Sequence, residues 1–401
     1  MHFFDWVARS IDVGEDILVI YLDIRKAFDT VPHHILLDKL RRAGIAGNLL
    51  RWISSYLSGR TQATYVSNSL SAFQPIPSGV VQGSVLGPLL FILFINDIVD
   101  CISFGTPFLF ADDLKIAYSY RSTDYEVLLS RIQSDLDALS LWSLANQLQF
   151  SPSKSQVIMS RAPATHPNLV LAGVSLPSST RVRDLGIHYS CKFSFSHNIM
   201  VATARAKRLV GYIFTSFHLE PTRLYLFMQH VRPILEFCAP VASLFSKGDR
   251  LALESVQRLF TRLLFRHIPT LRYRERCSRL KLDPLWLRRA RLNLCYLIRL
   301  TQGSAQVATT FPQFAEQSNY ELRSEGPFLA VTRPRTAFLQ HSFFSFYPNF
   351  FNSLPAHLRS VKDPVVFKSR LYSTLTFENF AAWYGKESDL DTLFEEGWSR
   401  L

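Results

Sequence analysis

Six consecutive apolar residues, Ile17-Leu18-Val19-Ile20-Tyr21-Leu22, run directly into a carboxylate, Asp23. Three of the six are β-branched, and the run is short and unbroken rather than alternating. That pattern predicts a buried strand with a charged group at its carboxyl end. A second segment, Phe108-Leu109-Phe110-Ala111-Asp112-Asp113-Leu114-Lys115-Ile116-Ala117-Tyr118, sets two apolar arms around a polar tip. It predicts a hairpin, although the tip lacks the usual glycine. Two adjacent carboxylates at such a tip repel each other, and burying them near apolar strands is unfavourable without a compensating cation. An oxygen-only donor set suits Mg²⁺ or Mn²⁺ rather than zinc, with Asp23 able to complete a two-metal clamp. The plainer alternative is a solvated turn pair.

Helical spacing follows the first strand. Ile35, Leu36 and Leu40 share a face that Gly44 should end. Asn48 is placed to cap a second helix with Leu49, Trp52, Ile53, Tyr56 and Leu57 on one stripe. Phe73–Gly87 reads as a loop rich in glycine and proline, followed by an apolar helix from about Pro88 to Ile98. Asp124 should cap a long helix with Leu129, Ile132, Leu136 and Leu139 on one stripe. Trp142 and Trp286 read as packing residues, and His33-His34 as residues that cap a helix or contact solvent.

With 401 residues, 48% hydrophobic and only 19% charged, the chain can fill two or three packed units, which excludes wholesale disorder. The longest apolar run, Val85 to Ile95, is too short to span a bilayer. No signal peptide is recognisable, and the five cysteines lie far apart without metal-ligand spacing. These features predict reduced thiols in an intracellular protein of nucleus or cytoplasm. The net charge of +12 is localised: residues 201–300 hold nineteen basic and six acidic side chains, while residues 1–200 are neutral. A block of that kind suggests a polyanion surface, or else solvated arginine-rich helices.

The segments resemble the palm motifs of a reverse transcriptase, an RNA-directed DNA polymerase, of the jockey-like non-LTR retrotransposon kind. Leu22-Asp23-Ile24-Arg25-Lys26-Ala27-Phe28-Asp29-Thr30-Val31-Pro32-His33 resembles that family's first carboxylate motif. Gly79 to Asp97, GVVQGSVLGPLLFILFIND, resembles its glycine-glutamine motif, and Phe110-Ala111-Asp112-Asp113 its double-aspartate box. Lys154 resembles the motif lysine, and Leu185-Gly186 the primer-grip segment. Further likeness continues through Arg232-Pro233-Ile234-Leu235-Glu236-Phe237, Arg288-Arg289 and Phe351-Asn352-Ser353-Leu354-Pro355.

The resemblance implies an α+β fold. A palm with an antiparallel sheet and helices on one face would occupy residues 1–190. A basic helical thumb and connection would follow over 191–300, and a C-terminal segment over 301–401. It implies two-metal nucleotidyl transfer to a primer 3′-hydroxyl, with an RNA template, a DNA primer, deoxynucleoside triphosphates and Mg²⁺ or Mn²⁺ as partners. Asp23, Asp112 and Asp113 would be the metal ligands, and the Ile24 carbonyl a further contact. Phe28 would exclude a ribose 2′-hydroxyl, Gln82 and Gly83 would hold the incoming nucleotide, and Lys154 would serve the pyrophosphate leaving group. Arg205, Lys207 and Arg208 would track duplex phosphates, and Arg272 and Arg274 would contact template.

This sequence departs from the family pattern at Val81, where proline is usual, and at Ser151 and Ser155, which flank Lys154 in place of asparagine and threonine. Asp23 lies close to the first residue, so the fingers and endonuclease of such elements are expected to be missing and the copy N-terminally truncated. The rival reading is a nucleic-acid-binding remnant without catalysis. A metal-dependent nuclease is a weaker third, because it leaves Phe28 and Gln82 unexplained.

Overall fold

The computed structural model describes residues 1–161, 167–303, 327–331, 333–384 and 394. Much of the 301–401 segment therefore lies outside the described residues. The chain divides into two compact units, Gly14–Arg181 and a second made of Met1–Val13 with Val182–Leu401. This division differs from the three-part expectation over 1–190, 191–300 and 301–401. The opening helix α1 (His2–Asp12) belongs with the second unit, because Phe4 packs edge-on against Tyr189 and Phe195.

The first unit is built on a four-stranded antiparallel sheet. Its strands are β1 (Asp16–Leu22), β2 (Thr106–Phe110), β3 (Asp113–Tyr120) and β4 (Gln156–Met159), in the order β2-β3-β1-β4. The unbroken apolar run is explained by its place: β1 pairs with β3 along one edge and with β4 along the other. Leu18, Ile20 and Leu22 enter the main core, and Ile17 and Val19, which point to the opposite face, are also fully buried.

Helices α2 (His33–Arg42), α3 (Gly47–Leu57), α4 (Leu86–Ile95) and α5 (Tyr125–Asn146) supply the remainder of this core through Leu36, Leu40, Ile53, Phe91, Phe94, Ile132, Leu136 and Leu139. The sequence periodicity gives these faces, with two departures. Asn48 lies inside α3 rather than at its cap, and Leu49 and Trp52 are more than half exposed. Helix α4 begins at Leu86, so Pro88 sits within its first turn, where a missing N–H costs nothing.

One buried carboxylate ties this unit together. Asp135 on α5, 1% exposed, accepts from the backbone N–H groups of Ser103 (2.9 Å), Phe104 (3.2 Å) and Gly105 (3.0 Å), and from the Tyr118 hydroxyl (2.9 Å). It thereby fixes the turn that feeds β2 and anchors β3. The same contact holds the Tyr118 phenol well above its ordinary pKa, through burial first and the facing carboxylate second.

The second unit is mostly helical. A hairpin of β5 (Arg181–Asp184) and β6 (Ile187–Ser190), at whose first residue the unit boundary falls, leads to α6 (Ser196–Ser216). There follow α7 (Arg232–Glu236), α8 (Lys247–Leu264), α9 (Tyr273–Arg279) and α10 (Leu285–Thr301). Ser246 and Asp249 form a reciprocal capping box that starts α8. Beyond the undescribed stretch, α11 (Phe343–Asn352) and α12 (Pro364–Thr374) join the same core. Phe343, Tyr347, Phe350 and Phe351 pack with Leu287, Leu294 and Leu297 of α10. The phenylalanines of α11 that these contacts involve are thus core residues.

Part of the basic excess is structural. Arg289 and Arg291 are 1% and 4% exposed; Arg289 donates to the Leu235 carbonyl, and Arg291 to the Leu375 carbonyl and to Asp283. Arg288 pairs with Glu236. These guanidiniums satisfy carbonyls left over at helix and loop ends. Glu254 on α8 is buried beside them, bonded by the Tyr273 hydroxyl and the Leu285 N–H (3.0 Å). Burial pushes its carboxyl up to about 7, against the opposing pull of those donors.

Two measurements check this account. Asp135→Ala leaves three N–H groups and a phenol without their acceptor and is expected to destabilise the first unit by about 3 kcal/mol or more in urea unfolding. Glu254 binds its proton more tightly folded than unfolded, so stability should fall as pH rises from the ordinary carboxyl range through about 7. Glu254→Gln should flatten that dependence in thermal melts taken between pH 5 and 8.

Candidate active site

Strand pairing brings the carboxylates to one end of the sheet. Leu22 is opposite Leu114, so Asp23, which follows Leu22, and Asp113, which precedes Leu114, lie at the same edge on adjacent strands. The β2–β3 hairpin closes in two residues, Ala111 and Asp112, between the paired Phe110 and Asp113. Ala111 takes the left-handed conformation (φ 52°) that the absent glycine would have supplied, at a cost on the order of 1 kcal/mol. Asp112 is half-buried and Asp113 exposed.

Asp23 is held by the turn before β4. Its N–H donates to the Ser155 hydroxyl (3.2 Å), and the Ser151 N–H donates to its carbonyl (2.8 Å). The same turn brings the Lys154 ammonium to 3.7 Å from Asp23 Oδ2. Ser155, 1% exposed, is therefore an anchor for the carboxylate strand, a role the sequence pattern showed only as a substitution beside Lys154. The neighbouring bridge between Ile24 and Phe150 is made by flanking residues, Arg25 N–H to the Gln149 carbonyl and Ser151 N–H to that of Asp23 (both 2.8 Å). It leaves the Ile24 carbonyl out of the pairing.

The glycine-glutamine loop lies against the segment after Asp23. Gly79 N–H donates to the Val31 carbonyl and Val80 N–H to that of Phe28, both at 2.8 Å. His33 Nε2 meets the Gly79 carbonyl at 2.8 Å, so this histidine pins the loop rather than facing solvent. Gly79 has φ 94°, and a Cβ there would stand 2.7 Å from the Asp29 carbonyl oxygen. Gln82 Nε2 donates to Asp29 Oδ1 (2.7 Å). Asp29, which the sequence reading did not single out, thereby orients the Gln82 amide: an ionised carboxylate only accepts, so it takes the NH₂ end and leaves Oε1 turned away. Gly83 is exposed at φ 78° with open space around it. The half-buried Phe28 ring stacks on Phe91 of α4 at 4.3 Å between centroids and 19° between planes.

The fit to a divalent cation is one of donor chemistry. Asp23 Oδ2 is buried without a hydrogen-bond partner and lies 3.7 Å from the Lys154 ammonium, an acceptor oxygen in a setting that suits positive charge. Among the described residues, no group of three His, Cys, Asp or Glu side chains stands close enough to enclose an ion by itself.

The other expected contacts lie in the second unit. Arg205, Lys207 and Arg208 are exposed on α6; Arg272 is exposed at the start of α9, and Arg274 is half-buried within it.

Gly79→Ala combines positive φ with a backbone clash, whereas Gly83→Ala has only the φ penalty. Urea unfolding should show a loss of about 1 kcal/mol for Gly83→Ala and a clearly larger one for Gly79→Ala.

Residues 8–189 match the reverse transcriptase (RNA-dependent DNA polymerase) family. The chain is 30% identical over 197 residues to the probable RNA-directed DNA polymerase from transposon X-element of Drosophila melanogaster, a match covering 48% of this chain and 21% of the relative. It is 30% identical over 189 residues to the RNA-directed DNA polymerase from mobile element jockey of the same organism, covering 45% and 20%. It is 32% identical over 133 residues to the Pol polyprotein from type-1 retrotransposable element R2 of Nasonia vitripennis, covering 30% and 13%. The match to the first two spans about a fifth of their length. A solved telomerase from Candida albicans aligns over 70% of this chain and 52% of its own, at 11% identity and a TM-score of 0.36, too slight a likeness to carry the fold. No helix among the described residues is long and apolar enough to cross a membrane. Residues 8–189, which hold the paired strands, the glutamine loop and the three aspartates, are thus the part of the chain that matches the reverse transcriptase family, and the similar proteins include RNA-directed DNA polymerases of mobile elements.

Proposed function

We propose that the first unit is the palm of an RNA-directed DNA polymerase that extends a primer 3′-hydroxyl by two-metal nucleotidyl transfer. The observation that carries this reading is the placement of Asp23, Asp112 and Asp113 at one end of the sheet on adjacent strands, with the Asp23 Oδ2 oxygen left without a hydrogen-bond partner. Asp23, Asp112 and Asp113 would hold Mg²⁺ or Mn²⁺, with the Ile24 carbonyl at hand as a further oxygen. Such ions, when bound, activate the attacking hydroxyl and neutralise the leaving pyrophosphate.

The chain's own residues do the positioning. Phe28, fixed by its stack on Phe91, presents a ring edge to the sugar and disfavours a 2′-hydroxyl. Gln82, held through its NH₂ end by Asp29, offers its amide oxygen to the incoming nucleotide, while Gly83 lets the backbone approach closely. Lys154, beside Asp23, supplies positive charge or a proton to the pyrophosphate. In the second unit, Lys207, Arg208, Arg272 and Arg274 contact template and primer phosphates, which makes affinity fall with salt. Arg205 shares α6 with Lys207 and Arg208 but lines a cavity together with Arg183 and His188.

Primer extension on an RNA template with Mg²⁺ and deoxynucleotides tests the reading. Synthesis is expected from the parent chain, and at least a hundredfold less from Asp112→Asn with an unchanged melting temperature. Equal synthesis by that variant would sink the metal-ligand role. Salt-sensitive template binding without synthesis by either chain would favour the idle remnant.

A further inference from the structure

A cavity of about 460 Å³ opens within the second unit, in the size range of small-molecule sites. Its floor is apolar: Ile199 of α6, Leu235 of α7 and Leu253 of α8 are each at most 2% exposed. One wall is the Phe237 ring, which is half exposed and rests on Gly186, 3.4 Å from where a Cβ would stand. A Cβ there would make only ordinary van der Waals contact with the ring; it is the backbone, at φ 83°, that favours glycine.

The polar lining has one character. Arg183 on β5, His188 on β6, and Asn198 and Arg205 on α6 border the cavity, and among the described residues no carboxylate does. Asn198 Oδ1 already accepts from the His188 N–H (3.1 Å), so the asparagine has its NH₂ donors to offer. Neither the Arg183 nor the Arg205 guanidinium has an ion pair or a hydrogen bond among the described residues. The nearby carboxylates are engaged elsewhere: Asp184 accepts from Tyr189, and Asp249 from Ser196 and Ser246. The imidazole of His188 is held below its ordinary pKa by burial and by the charges of Arg183 and His197. The site is therefore electropositive, rich in donors and apolar beneath.

We infer that this cavity binds a small amphipathic anion, a carboxylate, phosphate or sulfonate carried on a flat apolar body, with Arg183 and Arg205 clamping the charge. A hydrocarbon or aromatic body of up to about a dozen heavy atoms fills the space over Leu235 and against Phe237. Planar guanidiniums suit bidentate capture of such a head group. A nucleic-acid strand is a poorer match, because its phosphates need cations along an open track rather than two arginines over one apolar hollow. The cavity does not require the polymerase reading, although Gly186 and Arg205, which the resemblance assigns to primer and duplex contacts, both border it.

Titration calorimetry of the full chain with 2-naphthoate tests it, alongside the neutral isostere 2-naphthalenemethanol. The acid is expected to bind one per chain and at least tenfold more tightly than the alcohol. Arg183→Ala with Arg205→Ala should weaken the acid at least tenfold and leave the alcohol unchanged; both side chains are exposed, and circular dichroism melts check that the variant folds. Ala202→Phe, which fills the cavity from α6, should abolish both. Absence of binding, or equal binding of acid and alcohol that ignores the arginines, overturns the site. Displacement of bound 2-naphthoate by a ten-residue oligothymidylate assigns the arginines to nucleic acid and overturns the small-molecule reading.

Discussion

The antiparallel pairing of β1 with β3 is the constraint on which the rest of the site depends. Side chains alternate along a strand, so a slip of one residue would turn Leu18, Ile20 and Leu22 out of the core and carry Asp23 to the wrong face. The register is fixed twice, by burial of both strands and by Asp135, which grips β3 through Tyr118 and the entry to β2 through three backbone N–H groups. A carboxylate buried deep in the unit thus sets the position of carboxylates at its edge. The two kinds are chemically alike and differ only in partners: Asp135 is fully hydrogen-bonded, whereas Asp23 keeps an oxygen without a hydrogen bond.

Around the Asp23 edge, loops are held by short contacts between segments distant in sequence. The turn of Ser151 and Ser155 clamps the Asp23 backbone, and His33 and Asp29 clamp the glycine-glutamine loop. Each contact replaces freedom by a hydrogen bond made before any ligand arrives. Less ordering is then left for the binding step, which is the physical content of preorganisation. The replacement of asparagine and threonine by Ser151 and Ser155 leaves the clamp intact, because a hydroxyl both accepts from the Asp23 N–H and donates to the Ser151 carbonyl.

The second unit uses arginine differently from what net charge implies. Its excess of +13 over residues 201–300 suggests a polyanion surface or solvated arginine-rich helices, yet Arg289 and Arg291 are buried and Arg288 pairs with Glu236. Guanidiniums here complete hydrogen bonding where helices of one core end against each other, and the phenylalanines of α11 fill the space between. Only part of the charge remains for ligands. Arg205 of this segment and Arg183 of the preceding hairpin border one hollow.

The sequence by itself determined the strand ending at Asp23, the hairpin around Asp112 and Asp113, and the buried faces of α2 and α5. Each follows from apolar spacing within a few residues, and spacing is a local property. Tertiary structure alone decided which carboxylate is buried as a hydrogen-bonded hub and which keeps an oxygen without a hydrogen bond. It also decided that Asp29 orients Gln82, that Leu49 and Trp52 face out of α3, and that α1 joins the distant second unit. These depend on which segments meet, and a residue's type records its own chemistry but not the partner that folding brings to it.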